Sequence, residues 1–346
     1  MYKKIFMGIA AMAALTLVSC SSEDLNSVSD NSSKNEAISF DGYLGRSAVA
    51  VNGSRGSELT KEKLKTDGFG VFGNYKKDEG TEFGSNWFDN VKVTYSSKDT
   101  KWTYDPAQYW LPQGHIDFLA YAPYDSKYDT KVTKDNQKLE FIVSSTIKDQ
   151  KDLLWANATN QKKTNNPVTF NFNHALAKIG YTVKTNVDDK RGTTITLNKI
   201  TLAGSTTDPV TEAFYTKGTI DLSKVNNATD LWTNFEGKQN FTWFNGTLKL
   251  TSTSVANSNY LFVIPQDFSD AASDELYVIV DYTINYNTGA AATMTSQVSS
   301  KITKKFEQGK AYTINLTIGL TPIEFNAVVT DWDIPADGAI DINSWE

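Results

Sequence analysis

Apolar and polar residues alternate in short segments along almost the whole chain after residue 36. A period of two places successive side chains on opposite faces of a β-strand. In the first half these segments are AISFDGYL (37–44), GFGVFGNY (68–75), NVKVTYSS (90–97), IDFLAYAPY (116–124), KLEFIVSS (138–145) and PVTFNFNH (167–174). In the second half they are TTITLNKITLAG (193–204), FTWFNGTLKLTS (241–252), NYLFVIPQD (259–267), ELYVIVDYTINYN (275–287), MTSQVSSKITKKF (294–306) and AYTINLTIGL (311–320).

Helical periodicity is weak everywhere in this part of the chain. Only SELTKEKLK (57–65) and LSKVNNATDLW (222–232) hint at a 3.6-residue repeat. Gly, Asn, Asp and Pro punctuate the alternating segments, as turn residues do. Many short strands with regular turn signals predict an all-β protein built from antiparallel β-sandwiches.

The alternation changes face once, around His174. Val168, Phe170 and Phe172 share one parity, whereas the apolar residues from Ala177 onward have the opposite parity. A β-bulge or a single helical turn produces such a flip. We expect His174 to be hydrogen-bonded to irregular backbone at this break; a ligand role has no partner residue in the sequence to support it.

The first 36 residues have a different composition. Lys3 and Lys4 precede an apolar run from residue 5 to residue 18, which is shorter than the roughly 20 residues of a membrane-spanning helix. This is the pattern of a secretory signal, predicted to span residues 1–19. Residues 20–36 are rich in Ser, Asn and Asp, and we expect them to form a flexible tether.

Cys20 is the only cysteine among 346 residues. With Leu17, Val18 and Ser19 it resembles a bacterial lipobox, in which the cysteine carries lipid after the signal peptide is removed. The acidic SSED that follows resembles the surface-export signal of lipoproteins in Bacteroides-type bacteria. Cys20 is therefore predicted to be a lipid anchor on the outer membrane; the alternative is an ordinary signal peptide with an incidental cysteine.

Charge and composition exclude several function classes. The net charge is −6, with 34 basic and 40 acidic residues interspersed, so no basic surface for nucleic acid is expected. The two histidines, His115 and His174, are far apart, and no phosphate-binding glycine motif occurs. The sequence predicts no metal site, cofactor or catalytic residue; a carboxylate-dependent hydrolase is the second alternative.

Aromatic residues offer two interpretations. A sugar-stacking platform is one, but aromatic residues on alternating strand positions more often form core and cross-strand pairs. The residues concerned are Trp87, Trp102, Tyr109, Trp110, Tyr121, Tyr124, Trp232, Trp243 and Phe244.

Several phrases, taken in order, resemble the fimbrillin family of Bacteroides-type bacteria, whose members build type V pili. They are GFGVFGNY (68–75), QYWLPQGHIDFLAYAPY (108–124), KDLLWA (151–156), VTFNFNHALAKIGYTV (168–183), FEQGKAYTINLTIGL (306–320) and VVTDWDIPADGAIDINSW (328–345). The resemblance implies two tandem transthyretin-like β-sandwiches. We place these at 37–184 and 185–346, with the boundary near TNVDDKRGT (185–193) or some twenty residues earlier.

The resemblance also implies assembly by donor-strand exchange, in which a protease cuts after an arginine and removes the first strand. The chain has three arginines, and two of them follow the 37–44 segment directly in a Gly- and Ser-containing stretch. Cleavage between Arg46 and Ser47 is predicted, with Arg55 and Gly56 as the second candidate. A solvent-exposed loop charge is the alternative for each arginine.

The end of the chain supplies a candidate donor segment at about 321–346. Its apolar residues are Ile323, Phe325, Ala327, Val329, Trp332, Ile334, Ile340, Ile342 and Trp345. An apolar terminal segment needs a cover, which is either the last strand position of its own sandwich or the open edge of a neighbouring subunit.

The sequence therefore predicts a non-enzymatic pilus subunit that is exported as a lipoprotein and polymerised with other subunits at the cell surface, supporting adhesion. The main alternative is a lipid-anchored monomeric adhesin or carbohydrate-binding protein. A host glycan or protein is a candidate ligand in either case.

Overall fold

The computed structural model describes residues 37–44, 58–77, 83–189, 192–207, 210–226, 228–287, 292–320 and 324–331, with only the backbone described for 83–86 and 324–331. Strands dominate this part of the chain. The prediction of an all-β fold is confirmed.

One sheet is formed by strands from the first half of the chain. Its seven strands follow the spatial order β1-β8-β7-β5-β2-β3-β4. The strands are β1 (Phe40–Leu44), β2 (Phe69–Lys76), β3 (Phe83–Ser96), β4 (Lys101–Thr103), β5 (His115–Ala122), β7 (Leu154–Gln161) and β8 (Val168–His174).

The remaining strands form four further sheets. Their spatial orders are β12-β11-β6, β13-β10-β17-β18, β14-β9-β20-β21 with β15 also on β9, and β16-β19. The strands are β6 (Lys138–Ile142), β9 (Ala177–Thr185), β10 (Thr193–Ala203), β11 (Phe214–Asp221), β12 (Trp232–Gln239), β13 (Phe241–Lys249), β14 (Val255–Ala256), β15 (Leu261–Val263), β16 (Gln266–Asp267), β17 (Tyr277–Tyr286), β18 (Ala292–Lys301), β19 (Lys305–Phe306), β20 (Lys310–Ile318) and β21 (Glu324–Asp331).

Helix is restricted to short pieces among the described residues. α1 (Lys61–Asp67) begins at Thr60, whose side chain accepts a hydrogen bond from the N–H of Lys63, and it ends at Gly68 with φ of 72°. Ser126–Tyr128 and Ile147–Asp149 form single 3₁₀ turns. The weak helical signal at 57–65 is therefore confirmed in part, whereas the described residues between 222 and 231 form turns and bends, and Trp232 begins β12. The described helices are too short to cross a membrane.

The change of apolar parity around His174 occurs where the chain crosses from one sheet to another. β8 ends at His174, the buried residues Ala175 and Leu176 connect, and β9 begins at Ala177 in a different sheet. The predicted bulge or helical turn is wrong here, because the change of parity reflects a change of sheet.

Sheet membership does not follow chain order at every strand. β9 (Ala177–Thr185) pairs in parallel with β20 from the end of the chain, and β6 pairs with β11 (Phe214–Asp221). The division into tandem transthyretin-like domains at 37–184 and 185–346 stays a prediction.

The buried side chains form two clusters. The first lies within the seven-stranded sheet and contains the aromatic residues Phe40, Phe69, Phe88, Phe118 and Phe170. The second is larger and combines residues of both halves, among them Leu139, Trp155 and Ile314. The first cluster contains the inward face of β1, the strand on which the assembly hypothesis depends.

Candidate assembly site

Strand β1 buries one face and exposes the other. Ile38 just before it, together with Phe40 and Leu44, is at most 9% exposed, whereas Tyr43 is 48% exposed. This is the burial that alternation in AISFDGYL predicts, since neighbouring side chains point to opposite faces. The strand is thus held by its inward side chains.

The backbone of residues 40–44 is paired with β8 along one edge, and residues 37 and 38 contact a second segment. Along β1, Phe40 to Leu44 lie parallel to β8, with Phe40 opposite Val168, Gly42 opposite Phe170 and Leu44 opposite Phe172. The N–H of Val168 donates to the carbonyl of Ser39 at 2.8 Å. We call the space that residues 37–44 occupy against β8 the β1 slot.

The beginning of the β1 slot is closed by the loop before β5. Ala37 forms an antiparallel bridge with Tyr109. The N–H of Ile38 donates to the carbonyl of Gln108 at 2.8 Å. β1 is otherwise the terminal strand of its sheet, with β8 as its only strand partner among the described residues.

Phe40 occupies an aromatic pocket. Its ring centroid lies 5.3 Å from that of Phe118, 5.4 Å from that of Phe88 and 5.6 Å from that of Phe170. The contacts with Phe118 and Phe88 are edge-to-face, a favourable geometry for aromatic pairs. The pocket therefore fits a large planar side chain at this position of the strand.

Gly42 lies where the slot is shallow. A Cβ atom on Gly42 would lie 3.2 Å from Cε1 of Phe69, 3.4 Å from Cε2 of Phe172 and 3.6 Å from Cε2 of Trp102. A methyl group needs a shift of a few tenths of an ångström by a ring, and a longer side chain has no room. The third inward position of the slot therefore selects a small residue.

Tyr104 links β1 to the loop that closes the slot. Its hydroxyl donates to the carbonyl of Ile38 at 2.7 Å and accepts from the N–H of Gln108 at 3.3 Å. Burial raises the pKa of the Tyr104 hydroxyl above its usual value. No sequence pattern indicated this role of Tyr104.

From residue 58 onward the chain again contacts the rest of the protein. Glu58 pairs with Lys178 of β9 at 2.6 Å. The N–H of Leu59 donates to Oδ2 of Asp152 at 3.1 Å, and the same oxygen lies 2.8 Å from Nδ1 of His174. Asp152 and His174 are both buried. His174 thus pairs with a carboxylate, a partner that the sequence did not indicate.

Strand β21 contains the first part of the predicted donor segment. It lies antiparallel to β20 in its own chain, with Phe325 opposite Leu316, Ala327 opposite Ile314 and Val329 opposite Tyr312. β21 is the terminal strand of its sheet. Ile323 and the later donor residues, Trp332, Ile334, Ile340, Ile342 and Trp345, lie outside the described residues.

The other predicted processing residues also lie outside the described part of the chain. They are Cys20, Arg46, Ser47, Arg55 and Gly56. Most of the aromatic residues considered as a platform are core residues: Trp102, Trp110, Tyr121, Trp232 and Trp243 are buried, and Tyr109 is exposed. The described residues contain no group of three or more His, Cys, Asp and Glu side chains suited to a metal ion.

Comparison with known proteins adds a family and a fold. A family model described as fimbrillin-like matches residues 59–332. A fimbrial protein from Bacteroides vulgatus superposes with a TM-score of 0.65 at 22% identity, covering 86% of this chain and 100% of that chain. A protein named for cell adhesion from Bacteroides ovatus gives 0.52 at 16% identity, covering 87% and 99%. No curated protein sequence matches.

Proposed function

Because the chain belongs to the fimbrillin-like family, we propose that it is a structural pilus subunit that is assembled at the bacterial cell surface by donor-strand exchange. In this proposal Cys20 carries the lipid that holds the precursor on the outer membrane. Cleavage after Arg46, or after Arg55, releases the signal-proximal part together with β1. The terminal segment of another subunit then enters the β1 slot.

The burial of β1 at a sheet edge carries this proposal. Its apolar face packs against Phe88, Phe118 and Phe170, yet the strand continues into the body of the protein only through 45–57, which contains Arg46 and Arg55. Removing β1 would uncover this aromatic surface and leave the outer edge of β8 unpaired. Such an edge favours the addition of a strand from another chain.

The contacts just after residue 57 support the same order of events. Glu58 forms an ion pair with Lys178, and the N–H of Leu59 donates a hydrogen bond to Asp152. The chain from residue 58 onward therefore has its own contacts with the body of the protein. A cut after either arginine would leave these contacts in place. β1 would then be held only by its packing, its pairing with β8 and its contacts with Tyr104, Gln108 and Tyr109.

Fibres sheared from cells provide the test. Under mild denaturation they should run as a ladder of multimers, and N-terminal sequencing should give Ser47 or Gly56 as the first residue. A single band that still carries lipid and begins at Cys20 would contradict the proposal.

One observation favours the alternative, a lipid-anchored adhesin. Phe235, which is 40% exposed, stacks on Tyr215 with centroids 5.0 Å apart. Phe235 lines a cleft of about 540 Å³ whose walls include Gln266, Asp267 and Gln308. An aromatic face beside amide and carboxylate groups suits a sugar ring. Glycan binding that is lost in Phe235→Ala, by cells that display only the lipid-bearing band, would support this alternative.

A further inference from the structure

The β1 slot imposes a size order on the strand that fills it. Its four inward positions are occupied by Ile38, Phe40, Gly42 and Leu44. The second position lies in the aromatic pocket, and the third lies under Phe69, where a Cβ atom already makes a close contact. A competing strand therefore needs an aliphatic residue, an aromatic residue, a small residue and an aliphatic residue at alternate positions.

The chain carries this order a second time, near its end. Residues 38–44 read ISFDGYL and residues 323–329 read IEFNAVV. The second segment places Ile323, Phe325, Ala327 and Val329 on one parity. No other Phe, Tyr or Trp in the sequence has Ile, Leu or Val two residues before it, Gly or Ala two residues after it and Ile, Leu or Val four residues after it.

We propose that residues 323–329 of a second copy of this chain fill the β1 slot residue for residue, running parallel to β8. This inference rests on the proposed function and specifies the register of the exchange. Phe325 takes the pocket of Phe40, and Ala327 takes the place of Gly42. The outward residues Asn326 and Val328 then lie opposite Thr169 and Asn171, as Asp41 and Tyr43 do in the precursor.

The polarity follows from the order of the sizes. Read in the reverse direction, the same four residues place Ala327 in the aromatic pocket and Phe325 at the shallow position under Phe69. That arrangement leaves a void at one position and a clash at the next, and both destabilise a packed core. The segment therefore enters with the same chain direction as β1.

The donor segment is available because it is an edge strand. In its own chain β21 pairs only with β20 among the described strands. Leaving β20 breaks one backbone ladder, and entry into the slot forms another beside β8. The exchange also covers an aromatic surface that the loss of β1 exposes, which favours the intermolecular pairing.

Disulfide trapping in fibres tests the register. The natural Cys20 precedes both candidate cleavage sites, so a mature subunit has no cysteine of its own. Thr169→Cys combined with Asn326→Cys places two cysteines opposite each other in neighbouring subunits, at the separation of about 5 Å between paired strands that a disulfide requires. We expect fibres of this double variant to become a covalent ladder that persists in denaturant and collapses on reduction.

The matched control is Asn173→Cys with Asn326→Cys. It shifts the partner by four residues, about 13 Å along β8, so no ladder should form. A reducible ladder from Asn173→Cys with Asn326→Cys would contradict the proposed register. So would a reducible ladder from Thr169→Cys with Asp341→Cys. Either result would leave the proposed function unchanged. Absence of fibres from cleaved subunits with the natural sequence would overturn the proposed function itself.

A size test complements the cross-linking. Ala327→Leu should reduce fibre yield roughly tenfold or more, since overpacking a filled pocket weakens association. Val328→Leu, on the outward parity, should leave the yield unchanged. Both monomers are melted first, so that a loss of yield is separated from unfolding of the monomer. Equal yields of the two variants would contradict the proposed size selection.

Discussion

The ring of Phe40 stacks on the ring of Phe170, with centroids 5.6 Å apart and planes inclined by 27°. Phe40 belongs to the strand that proteolysis is proposed to remove, and Phe170 belongs to the strand that remains. The contact thus joins the removable part of the precursor to its permanent body. Whatever replaces β1 in a fibre has to cover Phe170 again.

Phe40→Ala is the first prediction. Removing this buried ring should lower the free energy of unfolding of the uncleaved precursor by about 3 kcal/mol, because a cavity is left among the rings of Phe88, Tyr104, Phe118 and Phe170. Denaturant unfolding of the precursor measures the change. Tyr43→Ala, on the exposed face of the same strand, is the control and should alter stability by about 0.5 kcal/mol or less. Equal effects of the two substitutions would argue against inward packing as the force that holds β1.

Tyr104→Phe is the second prediction. The substitution keeps the ring and removes the hydroxyl that donates to Ile38 at 2.7 Å. We expect a loss of about 1 kcal/mol, with faster release of β1 from precursor cleaved in the 45–57 segment. The release rate is measured as the rate at which the cleaved fragment separates from the body of the protein. Tyr95→Phe in β3 is a control that leaves the Ile38 carbonyl untouched, and a release rate as fast as that of Tyr104→Phe would show that the bond does not retain β1.

Arg46→Ala is the third prediction. If Arg46 is the maturation site, surface protein with the natural sequence begins at Ser47, and the variant retains both its lipid and β1. A filled slot accepts no donor, so fibres should be absent. N-terminal sequencing of surface protein measures the outcome. A start at Gly56 would transfer the role to Arg55, and Arg55→Ala is the matched variant.

Cys20→Ala is the fourth prediction. Without the thiol no lipid can be attached. The unprocessed precursor should therefore accumulate in the inner membrane or the periplasm. Protease shaving of whole cells measures surface display. Normal display of the Cys20→Ala protein would remove the lipoprotein step from the proposed pathway.

Alkaline unfolding is the fifth prediction. Burial raises the pKa of Tyr181 to about 12, against 10.0 for an unperturbed tyrosine. The unfolded state loses this proton first, so the stabilisation is complete below pH 10 and is lost as the pH rises to about 12. Its size is about 2–3 kcal/mol. Tyr181→Phe should flatten this part of the profile of unfolding free energy against pH; an unchanged slope would assign the loss to other groups.

The sequence by itself determined the local structure of most strands. A period of two is a property of neighbouring residues, so it identifies segments such as 68–75 and 168–174 as strands without knowledge of their partners. It also determined which face of β1 is buried. The repeated order of sizes at 38–44 and 323–329 is visible in the sequence as well, but its meaning depends on the slot.

Strand partners were decided only by the tertiary structure. Alternation does not state which edge a strand joins, so nothing in the sequence placed β1 parallel to β8 or paired β6 with β11. The change of parity after His174 indicated an irregularity, but it could not distinguish a bulge from a crossing between sheets. Both arrangements shift the apolar parity by one residue.

The contacts around the β1 slot likewise come from chain segments that are distant in sequence. Asp152 meets His174 and Leu59 because β7, β8 and the segment before α1 converge, and Tyr104 meets Ile38 because the loop before β5 folds over the start of the slot. A polar side chain in a sequence offers several partners, and only the packed structure selects one, since burial penalises every donor or acceptor left unpaired.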